Sequence, residues 1–306
     1  MRVLRTPDDC FAEIGDFDYP PHYADVPDQD GGTLRMAYVT DGPADGPVVL
    51  LLHGEPSWSF LYRTVMPELA AAGLRAIAPD LVGFGRSDKP AEQADHSYAR
   101  HVEWVRSLVF DHLDLQRVTL VGQDWGGLIG LRLLAEHPHR FAGAVAANTG
   151  MPTGDYGMPE VWWQFRHAVE RAETLDVGRF VAGGCHRPLA PEARAAYDAP
   201  FPSEEYKAGP RVMPTLVPTS PDDPATEANR TAWKALAAGD TPFLTAFSDN
   251  DPITGAMGPI LRRTIPGAAG LDHPTIDGAG HFLQEDAGAE LGRVVAEFTR
   301  TVGHSA

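Results

Sequence analysis

Short, wholly apolar runs alternate with helix-spaced segments through the first half of the chain, and the runs end in loops rich in glycine, proline or aspartate. Val48-Val49-Leu50-Leu51-Leu52 has no polar side, as a strand covered on both faces requires. It ends at His53-Gly54-Glu55-Pro56. Leu34 to Val39 predicts an earlier strand, closed by the turn Asp41-Gly42-Pro43. Apolar positions at helical spacing follow over residues 60 to 72 and stop at Gly73, which suits a helix C-cap. Leu74 to Ala78 predicts the next strand, and Tyr98 to Leu113 a helix carrying Trp104, Leu108 and Phe110. Val118 to Gly122 then predicts a strand, Gly127 to about Glu136 a helix ended by Pro138, and Phe141 to Ala147 another strand. Regular alternation of this kind predicts an α/β architecture, a mostly parallel central sheet with helices on both faces.

The rhythm breaks near residue 150. Residues 151 to 230 hold many of the chain's 27 prolines and little strand signal. A helical stretch headed by Trp162, Trp163 and Phe165 is predicted there, with shorter helices over 176 to 182, 191 to 197 and 225 to 238. Strand character resumes at Pro242 to Ser248 and again around Pro274 to Ile276, and Gly288 to Phe298 predicts a closing helix. The expected organisation is a core domain built from residues 1–150 and 231–306, with residues 151–230 inserted as a helical cap.

Composition narrows the partners. The 306 residues carry 42 acidic and 25 basic side chains, a net charge of -17. That balance excludes a phosphate-binding surface for nucleic acid and attraction to an anionic bilayer, and leaves a neutral small molecule open. Cys10 and Cys185 are too few for a disulfide scaffold and suit a reducing compartment. The first twenty residues are rich in charge and contain no apolar run of signal-peptide length, so the expected location is cytoplasmic, with no membrane partner. No metal site and no cofactor is expected, and the chain is expected to be a monomer or a weak homo-oligomer.

The chemistry centres on Gly122-Gln123-Asp124-Trp125-Gly126-Gly127. A buried-strand pattern runs into Gly-x-Asp-x-Gly and a helix starts at once, which is the strand–turn–helix of a nucleophile elbow. An aspartate stands where serine is usual, so the elbow presents a carboxylate, suited to attack on a carbon that then becomes an ester. A base and an acid that orients it are needed to remove that ester. His281 follows the loop Gly278-Ala279-Gly280, and both Asp249 and Asp251 follow the strand ending at Ser248. Nucleophile, acid and histidine in that chain order are the order of the α/β-hydrolases. The backbone amides of Glu55 and Trp125 are the candidate oxyanion hole, and the Glu55 carboxyl is a candidate for holding a water.

Taken together, His53-Gly54-Glu55-Pro56-Ser57-Trp58, the elbow, Ile77 to Pro90, Asp251-Pro252-Ile253-Thr254-Gly255 and Gly278-Ala279-Gly280-His281-Phe282 resemble the haloalkane dehalogenases. The resemblance implies Asp124 as nucleophile, His281 as base, Asp251 rather than Asp249 as acid, and Trp125 as the first halide-binding tryptophan. Glutamate after His-Gly resembles the subfamily that uses a second, cap tryptophan for halide. One relative's cap tryptophan falls near Cys185, which has no indole, so the expectation moves to Trp163, with Trp162 beside it. The implied substrate is a small apolar haloalkane, with water as co-substrate and a halide ion as product. An epoxide hydrolase would use the same ester and would need cap tyrosines, for which Tyr156, Tyr197 and Tyr206 are available. A fluoroacetate dehalogenase would need cations near the elbow, and an ordinary esterase would need serine or cysteine at 124. A non-catalytic ligand-binding protein on the same fold is the alternative of another class.

Overall fold

The computed structural model describes residues 1–303. The strands are β1 (Val3–Leu4), β2 (His22–Pro27), β3 (Thr33–Asp41), β4 (Val48–Leu52), β5 (Arg75–Pro79), β6 (Lys89–Pro90), β7 (Val118–Gln123), β8 (Phe141–Ala147), β9 (Phe243–Thr245), β10 (Phe247–Ser248) and β11 (Thr275–Ile276). Seven of them form the central sheet in the order β2-β3-β5-β4-β7-β8-β9. β2 and β3 run antiparallel at one edge, and from β5 to β9 the neighbours are parallel. β4 and β7 lie side by side in the middle, and both are buried throughout except for Val48 at the start of β4. Sealing a leucine of β4 from water contributes roughly 1.5–3 kcal/mol, and Leu50, Leu51 and Leu52 are each 0% exposed.

The helices are α1 (Met66–Ala71), α2 (Tyr98–Arg106), α3 (Trp125–Glu136), α4 (Glu160–Arg171), α5 (Val177–Gly184), α6 (Pro191–Asp198), α7 (Ala208–Leu216), α8 (Thr226–Ala238), α9 (Met257–Thr264) and α10 (Leu283–Gly303), which is broken by a kink at the non-helical Ala287, so that a short first turn precedes the long helix expected from Gly288. α1 packs on α10, and α10 on β8. α3 packs on β7 and also on α2 and α8, so helices cover the sheet as the alternation predicted. The inserted helices α4 to α7 lie between β8 and β9 in the chain. The expected boundary at residue 230 falls inside α8, whose Asn229 is tied to Arg132 of α3 and to the Pro152 carbonyl. α8 therefore packs with the core.

Several elements differ from the sequence expectation. The helix read over 60–72 divides into a 3-10 turn at Ser59–Tyr62 and α1. Pro67 has no N–H to donate and is tolerated only in a first turn, so a new helix has to start there. The helix read to Leu113 is α-helical to Arg106 and continues as a π-helical turn, Ser107–His112. α7 was masked in the sequence by Pro210 and Pro214, both of which it contains. β2 is a further strand, in which buried Ala24 and Val26 alternate with the more exposed Tyr23, Asp25 and Pro27. The β9 strand breaks at Ala246, and β10 pairs with β11 in a separate small sheet that carries the loop of His281.

Candidate active site

The elbow forms where β7 passes directly into α3. Asp124 sits at φ 50° and ψ -127°, a backbone state that costs a non-glycine residue about 1–3 kcal/mol and needs surroundings that over-determine it. Its N–H donates to the Asn148 carbonyl at 3.1 Å, and its own carbonyl accepts from Gly127 N at 2.9 Å and from the Thr149 hydroxyl at 2.7 Å. The close approach of β4 explains the glycine at 126: a Cβ there would lie 1.9 Å from the Leu52 carbonyl oxygen. The side chain is thereby turned out of the sheet.

The two carboxylate oxygens of Asp124 have different surroundings. Oδ1 accepts from the Glu55 backbone N–H at 2.8 Å. Gly54 makes this possible, because a Cβ on residue 54 would stand 2.3 Å from Oδ1 and 2.7 Å from the Trp125 nitrogen. Oδ2 lies 3.5 Å from His281 Nε2. The Asp124 side chain keeps 20% of its surface, against 5% for His281. One oxygen is thus clamped by an amide and the other is left open beside the imidazole.

His281 Nδ1 is 3.1 Å from Asp251 Oδ2. Asp251 is further held by the amides of Ile253 and Thr254 and by the Thr254 hydroxyl. Asp249 instead accepts from its neighbour Asn250 and from the Ala279 amide, and so shapes the loop. Of the two aspartates left open by the residues alone, Asp251 is the one that meets the histidine. Burial resists ionisation of Asp251, but the charge of His281 and the hydrogen bonds outweigh it and hold the carboxyl down at about 2. Burial likewise resists charge on His281, and the charge of Asp251 together with Asp124 outweighs it and raises the imidazole to about 10.

Two supporting residues carried little signal in the sequence. Asn148, at φ 41°, closes β8. Its side-chain N–H groups donate to Ser248 Oγ at 2.8 Å, to the Gly280 carbonyl at 2.8 Å and to the His281 carbonyl at 3.1 Å, so it ties the elbow to the histidine loop. An asparagine just beyond a strand, in a conformation that asparagine tolerates better than most residues, was the available clue. Gln123, fully buried just before Asp124, donates to the His281 carbonyl at 3.1 Å and lies 3.2 Å from its Nε2.

Glu55 is 5% exposed and its Oε1 has no hydrogen-bond partner in the protein. Burial, reinforced by Asp124 and only partly offset by His281, raises its carboxyl well above the usual range. Burial and the neighbouring Asp124 charge thus both favour the neutral form of this carboxyl. Gln123 Oε1 is a second buried acceptor without a partner.

Trp125 opens α3, and its ring packs edge-on to Tyr98 at 4.9 Å. The indoles of Trp58 and Trp233 donate to the carbonyls of Ala196 and Met151, and that of Trp104 is buried without an acceptor. Among the described residues the indoles of Trp125, Trp162 and Trp163 donate to no protein acceptor. Trp162 and Trp163 stand perpendicular on α4 with centroids 4.9 Å apart. Trp162 is buried, and Trp163 is half-buried beside Arg166 and His167. Cys185 donates to the Val181 carbonyl and, like Cys10, is a free thiol.

Comparison with known proteins agrees with this geometry. Residues 47–288 match the family model described as alpha/beta hydrolase fold. A haloalkane dehalogenase of Psychrobacter cryohalolentis is 50% identical over 298 residues, 97% of this chain and 98% of the relative. One from Mycobacterium marinum is 51% identical over 291 residues, 95% of this chain and 97% of the relative. Among solved structures, the haloalkane dehalogenase DpaA from Paraglaciecola agarilytica, described as tetrameric, superposes with a TM-score of 0.87 at 34% identity and covers 98% of each chain. DbeA from Bradyrhizobium elkani superposes at 0.80 with 27% identity, covering 94% of this chain and 100% of that one. The chain belongs to the haloalkane dehalogenase family of the α/β-hydrolase fold.

Proposed function

We propose that the protein hydrolyses small haloalkanes to an alcohol and a halide through an alkyl ester on Asp124. One observation carries this reading: Asp124 Oδ1 is held by the Glu55 amide while Oδ2 stays open 3.5 Å from His281 Nε2. Oδ2 attacks the halogen-bearing carbon from behind. The carbon–oxygen bond forms as the carbon–halogen bond breaks, and the halide leaves with the electron pair. Indole N–H donors of Trp125 and Trp163 meet the charge that develops on the halogen, and indole suits the task because it donates and never accepts. Oδ1 remains as the ester carbonyl oxygen, already beside the Glu55 amide. His281 Nε2 then takes a proton from water, whose oxygen attacks the ester carbonyl. The oxyanion on Oδ1 is met by the amides of Glu55 and Trp125; collapse breaks the bond from Cγ to the alkylated oxygen, which leaves as the alcohol with the proton that His281 took from water, and the Asp124 carboxylate is restored. Asp251 orients the ring and supports its charge.

Trp125 and the triad rest on observed contacts among their supports; Trp163 rests on its free indole and its place on the first cap helix. The inserted helices α4 to α7 serve in this reading as the cap that keeps water from the halide donors. A tyrosine-assisted epoxide reaction finds less support, since Tyr156 is 87% exposed and the Tyr197 hydroxyl is engaged by Glu285. No described helix is long and apolar enough to cross a membrane. The two free thiols support a reducing, cytoplasmic setting. The test measures bromide release from 1,2-dibromoethane beside epoxide opening, with Asp124→Asn as control. Bromide and alcohol in equal amounts are expected; epoxide opening without bromide release would overturn the reading.

A further inference from the structure

The residues that follow His281 do more than start α10. The Asp286 carboxylate is buried and accepts three backbone N–H bonds, from Gly280 at 2.9 Å and from His186 and Arg187 at 2.8 Å each. Gly280 belongs to the histidine loop. His186 and Arg187 belong to the cap segment between α5 and α6. The same segment returns a bond to the core, for the Gly184 carbonyl accepts the His281 N–H at 2.7 Å. Backbone meets backbone at Gly280, where a Cβ would lie 2.5 Å from the Gly184 carbonyl oxygen and 2.8 Å from the His186 nitrogen, and a Cβ on Gly184 would lie 2.7 Å from the Phe282 ring.

We propose that Asp286 is a positioning residue that clasps the cap segment 184–187 to the loop of His281, so that the placement of the cap fixes the imidazole for attack by water. This rests on the role of His281 given above. The backbone N–H of the histidine is held by the Gly184 carbonyl, and the Asp286 carboxylate anchors the same segment two residues further on by accepting the His186 N–H. Losing Asp286 does not detach the cap. Glu285 still pairs with Arg63 and takes the Tyr197 hydroxyl of α6, and Trp58 still donates to the Ala196 carbonyl. What loosens is the local seat of the imidazole.

The clasp predicts a loss confined to one chemical step. Alkylation uses Asp124 and the indole donors, none of which touches Asp286. Ester hydrolysis needs Nε2 placed on water, and a displacement of about 1 Å costs on the order of 10²-fold. The experiment follows 1,2-dibromoethane by quenched flow, reading the bromide burst and the alkylated chain by mass spectrometry, with His281→Phe alongside. Asp286→Ala is expected to keep the burst rate within about threefold, slow hydrolysis on the order of 10²-fold and accumulate the ester. Asp286→Asn retains an oxygen able to bridge Gly280 and His186, and should recover most of the hydrolysis rate. Gly184→Ala, which wedges the same contact from the cap side, should also accumulate ester, and it serves where Asp286→Ala does not fold. Hydrolysis at the native rate in Asp286→Ala, or an equal fall in burst and hydrolysis in both variants, overturns the clasp. If His281→Phe itself accumulates no ester, the reading of His281 fails and the clasp falls with it. An ester in His281→Phe with none in the Asp286→Ala and Gly184→Ala variants removes the clasp alone.

Discussion

Alkylation of Asp124 should change the acidity of His281 as well as the covalent state of the carboxylate. The imidazole is raised to about 10 by two carboxylates that together overcome burial. One of them, Asp124, loses its charge when the ester forms. Unit charges about 4 Å apart at an effective dielectric of about 20 interact by about 4 kcal/mol, or about 3 pH units at ~1.36 kcal/mol per unit. The separation is 3.5 Å, but the Asp124 side chain is 20% exposed and shares its charge with the Glu55 amide. A fall of about 2 units is therefore expected, towards the range where a base serves best at neutral pH. Asp124→Asn reproduces the neutral state. NMR titration of the His281 ring in the native chain and in that variant, with His281→Gln to assign the signal, measures the difference. The sign is fixed: removing a negative neighbour lowers the pKa. A His281 pKa that is unchanged or higher in the variant would refute the argument. The stability linkage runs the same way. The folded value lies above the ordinary 6.5, so these charges stabilise the native chain fully below that pH and progressively less as pH rises towards about 10. Asp124→Asn should narrow that window from its upper end.

Trp125→Phe keeps an aromatic ring against Tyr98 but removes an indole donor, so the bromide burst should slow by about 10²–10³-fold, as for loss of one oxyanion-hole donor. Trp163→Phe should weaken bromide binding read by fluorescence quenching; if Trp162→Phe does so instead, the cap assignment moves by one residue. Asn148→Ala deletes the bonds to Ser248, Gly280 and His281 and leaves buried groups unpaired, at about 1–3 kcal/mol each. It should lower the midpoint of urea denaturation and slow ester hydrolysis more than halide release; an unchanged midpoint would contradict the role given to Asn148.

Strand–helix alternation and the Gly-x-Asp-x-Gly turn were legible in the sequence because both are local. A doubly covered strand such as Val48–Leu52 has to be apolar throughout, and a strained elbow has to be flanked by glycine where β4 passes 1.9 Å from any added Cβ. The order of Asp124, Asp251 and His281 was legible for the same reason, since each follows a strand end. Strand position alone leaves Asp249 and Asp251 equivalent, because two residues on one short loop differ only in direction, and it was the family resemblance that singled out Asp251. Folding sends Asp251 to the imidazole and Asp249 to the Ala279 amide. Nor could the sequence display α7 through its prolines. Above all, the bonds from Asp286 to a cap segment a hundred residues earlier leave no periodic trace. Local pattern reports what a residue does to its own neighbours in the chain; the pairing of backbone groups from distant loops is decided only when the tertiary structure brings them within hydrogen-bond reach.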